Sequence, residues 1–294
     1  MSKKFNILVI PDFQESAIQQ IQSVAPDVIN VVPVSSIFYE EILRDWDENI
    51  VNRFLKPPRE NASPLKESKD ELLRTADAIF MSWPFPKTLP QRAPNLRWMH
   101  FPFAGVSNLH NTACWGVPIT VTSSRGYTLA LPIAETVLAA IFAFSKRLDI
   151  HMQRQMNGEM ANPRLLSIPK MRVVNGKTIG IVGLGGIGKE VAKLAKGAGM
   201  RVLATKRSVE ERIANIEEVD ELFPRSQLKE MLSVCDFVAV CTALTSETEG
   251  MIGTEAISAM KNDAYLINIA RGEIIDENAM IAALHSGKLG GSFV

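Results

Sequence analysis

Along the chain, short apolar runs alternate with stretches whose apolar residues recur every three or four positions. The runs at 6–10, 28–34, 78–82, 96–101 and 117–121 are apolar and partly β-branched, and they read as strands. Between them, 16–24 and 67–75 have helical spacing. Residues 38–66 read as a helix followed by a loop, with Pro57, Pro58 and Pro64 as breakers. Pro84, Pro86, Pro90 and Pro94 mark turns. This alternation predicts a first α/β domain over residues 1–125.

Residues 129–156 carry one long helical pattern. Pro132 fits its first turn, and Ile133, Val137, Leu138, Ile141 and Phe142 repeat at helical spacing. Such a helix links two domains, and its Glu135 faces either a cleft or solvent. Beyond it, apolar runs at 179–182, 201–205, 237–241, 265–270 and 291–294 predict five strands. Helical patterns at 186–198, 226–234, 254–260 and 277–286 intervene. That is a doubly wound parallel sheet, and it defines a second domain over 126–294.

The first strand of this second domain breaks into Gly183, Leu184, Gly185, Gly186, Ile187 and Gly188, and a helix follows at once. Strand, glycine turn and helix together are the context in which Gly-x-Gly-x-x-Gly binds a dinucleotide. Gly183 allows the tight turn, Gly185 lets a pyrophosphate approach the backbone, and Gly188 lets the helix pack on the strand. The phosphates then meet free N–H groups and the positive end of the helix dipole, at residues 185–188. The domain is therefore Rossmann-like. Where its second strand ends, an acidic residue favours NAD and a basic one accommodates the 2′-phosphate of NADP. Here the tip is Lys206, Arg207 and Ser208, eighteen residues after Gly188, and Glu210 and Glu211 come later. Two cations and a hydroxyl suit a phosphate dianion, so NADP is favoured over NAD.

Composition narrows the partners. The 294 residues hold 32 basic and 32 acidic side chains, which gives no net field for nucleic acid or an anionic membrane. No apolar run reaches membrane-spanning length, and the N-terminal run lacks the form of a signal peptide. Cys114, Cys235 and Cys241 form no CxxC pair and read as reduced buried thiols of a cytoplasmic protein; no metal site is implied.

Several landmarks occur in a fixed order: Ala104, Gly105 and Val106 after a strand; residues 126–135 leading the long helix; the glycine turn; Leu244 to Thr248; and Asn268 to Asp276 around Arg271. In this order they closely resemble the D-isomer-specific 2-hydroxyacid dehydrogenases, which include phosphoglycerate dehydrogenases and glyoxylate/hydroxypyruvate reductases. The resemblance covers the chain from about residue 95 onward. It implies two doubly wound domains, the first flavodoxin-like. It also implies hydride transfer between NAD(P)H and C2 of a small 2-oxo or 2-hydroxy acid, and a homodimer. By the same resemblance, Ala104, Gly105 and Val106 offer backbone N–H groups to the substrate carboxylate. Arg271 binds that carboxylate and the reacting carbonyl oxygen; a structural ion pair is its other reading. Thr242, Ala243, Ile269 and Ala270 line the nicotinamide half of the cofactor, although Ala243 stands where many relatives have proline.

The resemblance also implies a catalytic histidine with a glutamate, both downstream of Arg271, and the residues end at Val294 before the segments that would carry them. Arginine stays protonated at any ordinary pH, so Arg271 stabilises an oxyanion but does not readily deliver a proton. The expectation is a chain that ends inside the family's fold, with a sixth sheet strand and a C-terminal helix missing, an exposed strand edge and poor turnover. His100, just before the Ala104 loop, is the histidine placed nearest the cleft, with a packed or surface position as its other reading. A nucleotide-binding sensor without catalysis is the alternative function.

Overall fold

The computed structural model describes residues 4–59, 68–124, 127–159, 171–216 and 218–294. Two of the sequence landmarks, Pro64 and Gly126, lie outside them. The chain divides into two compact units, Met1–Gly126 and Tyr127–Val294.

In the first unit the order is β1 (Phe5–Val9), α1 (Glu15–Ser23), β2 (Ile29–Pro33), α2 (Ser35–Asp45), α3 (Glu48–Phe54), α4 (Lys69–Thr75), β3 (Ala78–Phe80), α5 (Leu89–Arg92), β4 (Trp98–Phe101) and β5 (Thr120–Ser123). All pairings are parallel, and the strand order is β2-β1-β3-β4-β5, the flavodoxin-like winding. Side chains alternate across the sheet. Leu8, Ile79, Met99 and Phe101 face a core with Phe38, Leu73 and Leu89. Ile7, Val9 and Ala78 face the other side, towards Phe13 and Ile18. The single helix expected at the start of 38–66 is instead two, α2 and α3, and residues 60–66 of that reading lie outside the described residues. Asp47 starts the second by accepting from Asn49 N–H at 2.9 Å.

The second unit runs α6 (Ala130–Lys146), α7 (Leu148–Met156), β6 (Thr178–Val182), α8 (Gly186–Gly197), β7 (Arg201–Lys206), β8 (Ile213–Ile216), β9 (Val219–Pro224), α9 (Leu228–Leu232), β10 (Phe237–Val240), α10 (Thr254–Ala259), β11 (Ala264–Asn268), α11 (Glu277–His285) and β12 (Leu289–Phe293). Its sheet has the order β12-β11-β10-β6-β7-β9-β8. Strands β6, β10 and β11 are buried along their whole length, which is why they read as unbroken apolar runs. Helices α6 and α8 cover one face through Val137, Ile141, Val191 and Ala195. Helices α9, α10 and α11 cover the other through Met231, Ile257 and Met280.

Two expectations are corrected here. The long helix of 129–156 is two helices, because Arg147 adopts a left-handed conformation (φ 53°) that ends the first. The five-strand reading omitted β9, which pairs parallel with β7, and β8, which pairs antiparallel with β9. With β9 counted, the described sheet holds six parallel strands, and β12 is one edge of it. The missed strand carries Asp220 and Glu221 in mid-run. These acids pair with Lys196 and with Arg201 and Arg212, so the apolar pattern that marks a strand is interrupted.

Candidate functional site

In an open α/β sheet, ligands bind beyond the carboxyl ends of the strands, where the strand order reverses. In the second unit that point lies between β6 and β10. Four backbone bonds join the strand ends there. Val182 C=O accepts from Cys241 N–H (2.9 Å), Thr205 C=O from Gly183 and Leu184 N–H (3.2 and 3.0 Å), and Val240 C=O from Ile269 N–H (3.3 Å). The glycine turn, Thr242 and Ile269 therefore stand side by side.

The glycines divide into those that packing demands and one that it does not. Gly183 has φ +102°, and a Cβ there would come 2.9 Å from Thr242 Cα. At Gly188 a Cβ would come 2.3 Å from Gly183 O and 3.2 Å from Ile181 Cγ2, so only glycine lets α8 lie this close to β6. At Gly185 a Cβ would meet nothing within 4 Å. Gly185 caps α8 without any side-chain hydrogen bond, and Gly185 and Gly186 are exposed. The first N–H groups of a helix, here including those of Gly186, Ile187 and Gly188, have no intrahelical partner. Open space, uncapped donors and a positive dipole end coincide, and a pyrophosphate group fits them.

The tip of β7 lies beside this turn. Lys206, Arg207 and Ser208 are exposed, and among the described residues neither cation forms an ion pair. Arg201 and Arg212 nearby are paired, with Glu221 and with Glu221 and Glu230. Charge at the tip is thus uncompensated, and it suits a phosphate better than a pair of ribose hydroxyls alone.

Arg271 follows the end of β11. The buried Asn268 shapes its turn: the amide donates to Arg271 C=O (2.9 Å) and its oxygen accepts from Ala270 N–H (3.0 Å). The half-buried Arg271 donates from Nη1 to Ala270 C=O (3.0 Å) and makes no ion pair among the described residues. Its guanidinium is a permanent charge at a strand's carboxyl end. Asp276 and Glu277 begin α11, with Asp276 accepting from Ala279 N–H at 3.1 Å. Thr242 packs on Gly183, and Ala243 is exposed with its C=O accepting from Thr248 Oγ1 (2.7 Å). Asn268 and Thr248 escaped the sequence reading as bracing residues; their only signal was membership of the two motif strings.

In the first unit, Ala104, Gly105 and Val106 follow β4 at the carboxyl end of that sheet. Ala104 is exposed, its C=O accepts from Ser123 Oγ (3.4 Å), and Val106 C=O accepts from Leu109 N–H (3.0 Å). His100 lies within β4, with Nδ1 2.9 Å from Thr122 Oγ1. The same hydroxyl accepts from Trp98 Nε1 at 2.7 Å. Burial holds the His100 pKa below its ordinary value, which favours the neutral ring. Glu135 is exposed on α6.

Known proteins resemble this chain in sequence and in fold. The sequence profile of the D-isomer specific 2-hydroxyacid dehydrogenase NAD binding domain matches residues 138–294. A glyoxylate reductase of Pyrococcus horikoshii is 33% identical over 236 residues, covering 77% of this chain and 69% of that protein. One from Thermococcus gammatolerans is 33% identical over 240 residues, covering 80% and 70%. Among solved structures, a D-isomer specific 2-hydroxyacid dehydrogenase from Xanthobacter autotrophicus Py2, in complex with NADPH and MES, superposes with a TM-score of 0.71 at 20% identity, over 99% of this chain and 80% of that one. A matched profile over more than half the residues, relatives of this identity and the shared fold lead to one conclusion: the chain belongs to the D-isomer specific 2-hydroxyacid dehydrogenases, a family of NAD(P)-dependent enzymes.

Proposed function

We propose that the chain reduces a small 2-oxo acid of the glyoxylate or hydroxypyruvate type, with NADPH preferred over NADH. The observation that carries this reading is Arg271 at the end of β11, without an ion pair among the described residues and at the same sheet end as the glycine turn. The names of the Pyrococcus and Thermococcus relatives support the choice of substrate. Lys206 and Arg207, exposed and without an ion pair among the described residues, support the choice of cofactor.

The cofactor, when bound, supplies a hydride for C2 of the 2-oxo acid. Gly185, Gly186, Ile187 and Gly188 hold its pyrophosphate, and Lys206, Arg207 and Ser208 its 2′-phosphate. Thr242, Ala243, Ile269 and Ala270 line the nicotinamide half. Arg271 presents a planar fork to the carboxylate and carbonyl oxygens of the acid and stabilises the negative charge that grows on the carbonyl oxygen. Taken by itself, the loop of Ala104, Gly105 and Val106 in the first unit is proposed to offer backbone N–H groups to a carboxylate.

The remaining requirement is a proton for the alkoxide. His285 ends α11, which runs back to the start of β12, so it stands at the opposite end of the sheet from Arg271. We propose that these 294 residues bind NADPH and that the supply of this proton limits their turnover. The same observation favours the second reading, a nucleotide sensor. Saturable NADPH binding followed by a turnover assay with glyoxylate and hydroxypyruvate separates the two. Arg271-dependent NADPH oxidation supports the reductase, and binding with no turnover above background supports the sensor. Failure to bind either NADPH or NADH removes both.

We also infer a homodimer through the second unit. Phe142 on α6 and Leu148, Met152 and Met156 on α7 are exposed, and the last three follow one another at four-residue spacing on one stripe. A mass measured in solution tests it. Three free cysteines, two of them buried, fit a reducing, cytoplasmic setting.

A further inference from the structure

We propose that the ion pair between Arg225 and Glu247 is a positioning clamp: it holds the loop after β10 as one wall of the groove for the adenosine half of the cofactor. This inference rests on the dinucleotide reading above. The N-terminus of α8 marks the pyrophosphate, and the tip of β7 marks the ribose. Adenosine then lies above the ends of β7 and β6, between that tip and residues 242–250.

Strand β9 sets Arg225 at this place. Its last residue, Pro224, is the register partner of Lys206, so Arg225 emerges beside the β7 tip. Strands β7 and β6 lie between β9 and β10, so the loop after β10 reaches back over their ends to meet Arg225. Arg225 Nη1 donates to Glu247 Oε2 at 2.7 Å, and Nη2 donates to the backbone C=O of Glu247. The second bond matters most, because it grips main chain rather than a mobile side chain.

The loop itself is a preformed unit. The buried Thr248 donates from Oγ1 to Ala243 C=O (2.7 Å) and accepts from Thr245 N–H (2.8 Å). Its far end is tied by Gly250 N–H to Glu273 C=O at 2.8 Å. Arg225 supplies the tie on the side of the adenosine groove. Glu247 offsets most of the Arg225 charge, so the clamp acts through the shape of the wall and leaves the 2′-phosphate to Lys206 and Arg207.

Calorimetric titration of the 294-residue protein with three probes tests this. The probes are 2′,5′-ADP, 5′-AMP and reduced nicotinamide mononucleotide, which lacks adenosine. Arg225→Ala is expected to weaken both adenosine probes about two- to fivefold, the range of one exposed ion pair. Glu247→Gln is expected to do less, since the backbone bond survives. The double variant should be no weaker than Arg225→Ala, the mark of two residues acting as one. Arg225→Lys should recover part of the loss, and binding of the mononucleotide should not change. Equal affinity of wild type and Arg225→Ala for 5′-AMP overturns the clamp, as does additivity in the double variant. Loss of mononucleotide binding also overturns it, because the effect is then not confined to the adenosine groove. A wild-type protein that binds neither NADPH nor 2′,5′-ADP removes the dinucleotide reading and the clamp with it.

Discussion

Two glycines in one turn are expected to fail in opposite ways when each becomes alanine. At Gly188 the new Cβ would lie 2.3 Å from a backbone oxygen, that of Gly183, and 3.2 Å from Ile181 Cγ2. Backbone cannot swing aside like a side chain, so α8 must shift from β6. Overpacking of this kind costs about 1–3 kcal/mol. The backbone clash puts Gly188→Ala at the upper end, about 3 kcal/mol, less about 1 kcal/mol for alanine's better helix propensity. A net loss of about 2 kcal/mol lowers the melting temperature by roughly 4–8 °C for a unit of this size. At Gly185 the φ of −95° suits alanine and nothing lies within 4 Å, so only the cap preference is lost, about 0.5–1 kcal/mol. That Cβ does, however, enter the space through which phosphate reaches the N–H groups. Losing one charge-assisted hydrogen bond costs about 1.5–3 kcal/mol, which is roughly ten- to 150-fold in Kd. Thermal denaturation and NADPH calorimetry on both variants are the assays. Gly185→Ala should melt near wild type and bind poorly, while Gly188→Ala should melt early. Wild-type affinity in Gly185→Ala, or wild-type stability in Gly188→Ala, refutes the division of roles.

Replacing Lys206 and Arg207 together by alanine should weaken NADPH binding about tenfold or more, at about 1.5 kcal/mol for a charge-assisted bond, and leave NADH binding nearly unchanged; a constant NADPH-to-NADH affinity ratio contradicts the 2′-phosphate assignment. Arg271→Ala should abolish whatever 2-oxo acid reduction the protein shows while leaving the NADPH Kd within about twofold, and Arg271→Lys should restore little because a point charge lacks the fork. Burial pushes the Cys114 thiol up to about 11 and the Cys235 thiol up to about 12, so at pH 8 neither should react with a thiol reagent until the protein is unfolded. For these raised thiols the sign is fixed: the unfolded chain ionises first, so stability is unaffected below pH 9.0 and declines as pH climbs from there towards about 12, which denaturation at pH 8 and pH 10 will show.

Much of the nucleotide unit was legible because its strands are buried on both faces and its glycines obey packing. The run at 179–182 followed by Gly183 and Gly188 admits few other structures, because a Cβ at either glycine would clash with its neighbours. Strand β9 was invisible because Asp220 and Glu221 answer basic side chains on α8, β7 and the 207–212 segment, information that is not local to the strand. The break at Arg147 left no mark either, since arginine is a good helix former and its left-handed turn is set by tertiary context. Arg271 was found through its motif, yet the absence of an ion-pair partner among the described residues is a spatial fact. The Arg225–Glu247 bond joins residues 22 positions apart and could not be read from either segment.

The central claim is that the α8 N-terminus cradles the cofactor's phosphates and that Arg271 meets the 2-oxo acid. A crystal structure with NADPH and oxalate, an unreactive mimic of the acid, tests it directly. The account predicts pyrophosphate oxygens within hydrogen-bond distance of the backbone nitrogens at residues 185–188, the 2′-phosphate on Lys206 and Arg207, and oxalate on the Arg271 guanidinium. Cofactor bound elsewhere, or Arg271 turned away from the oxalate, contradicts it.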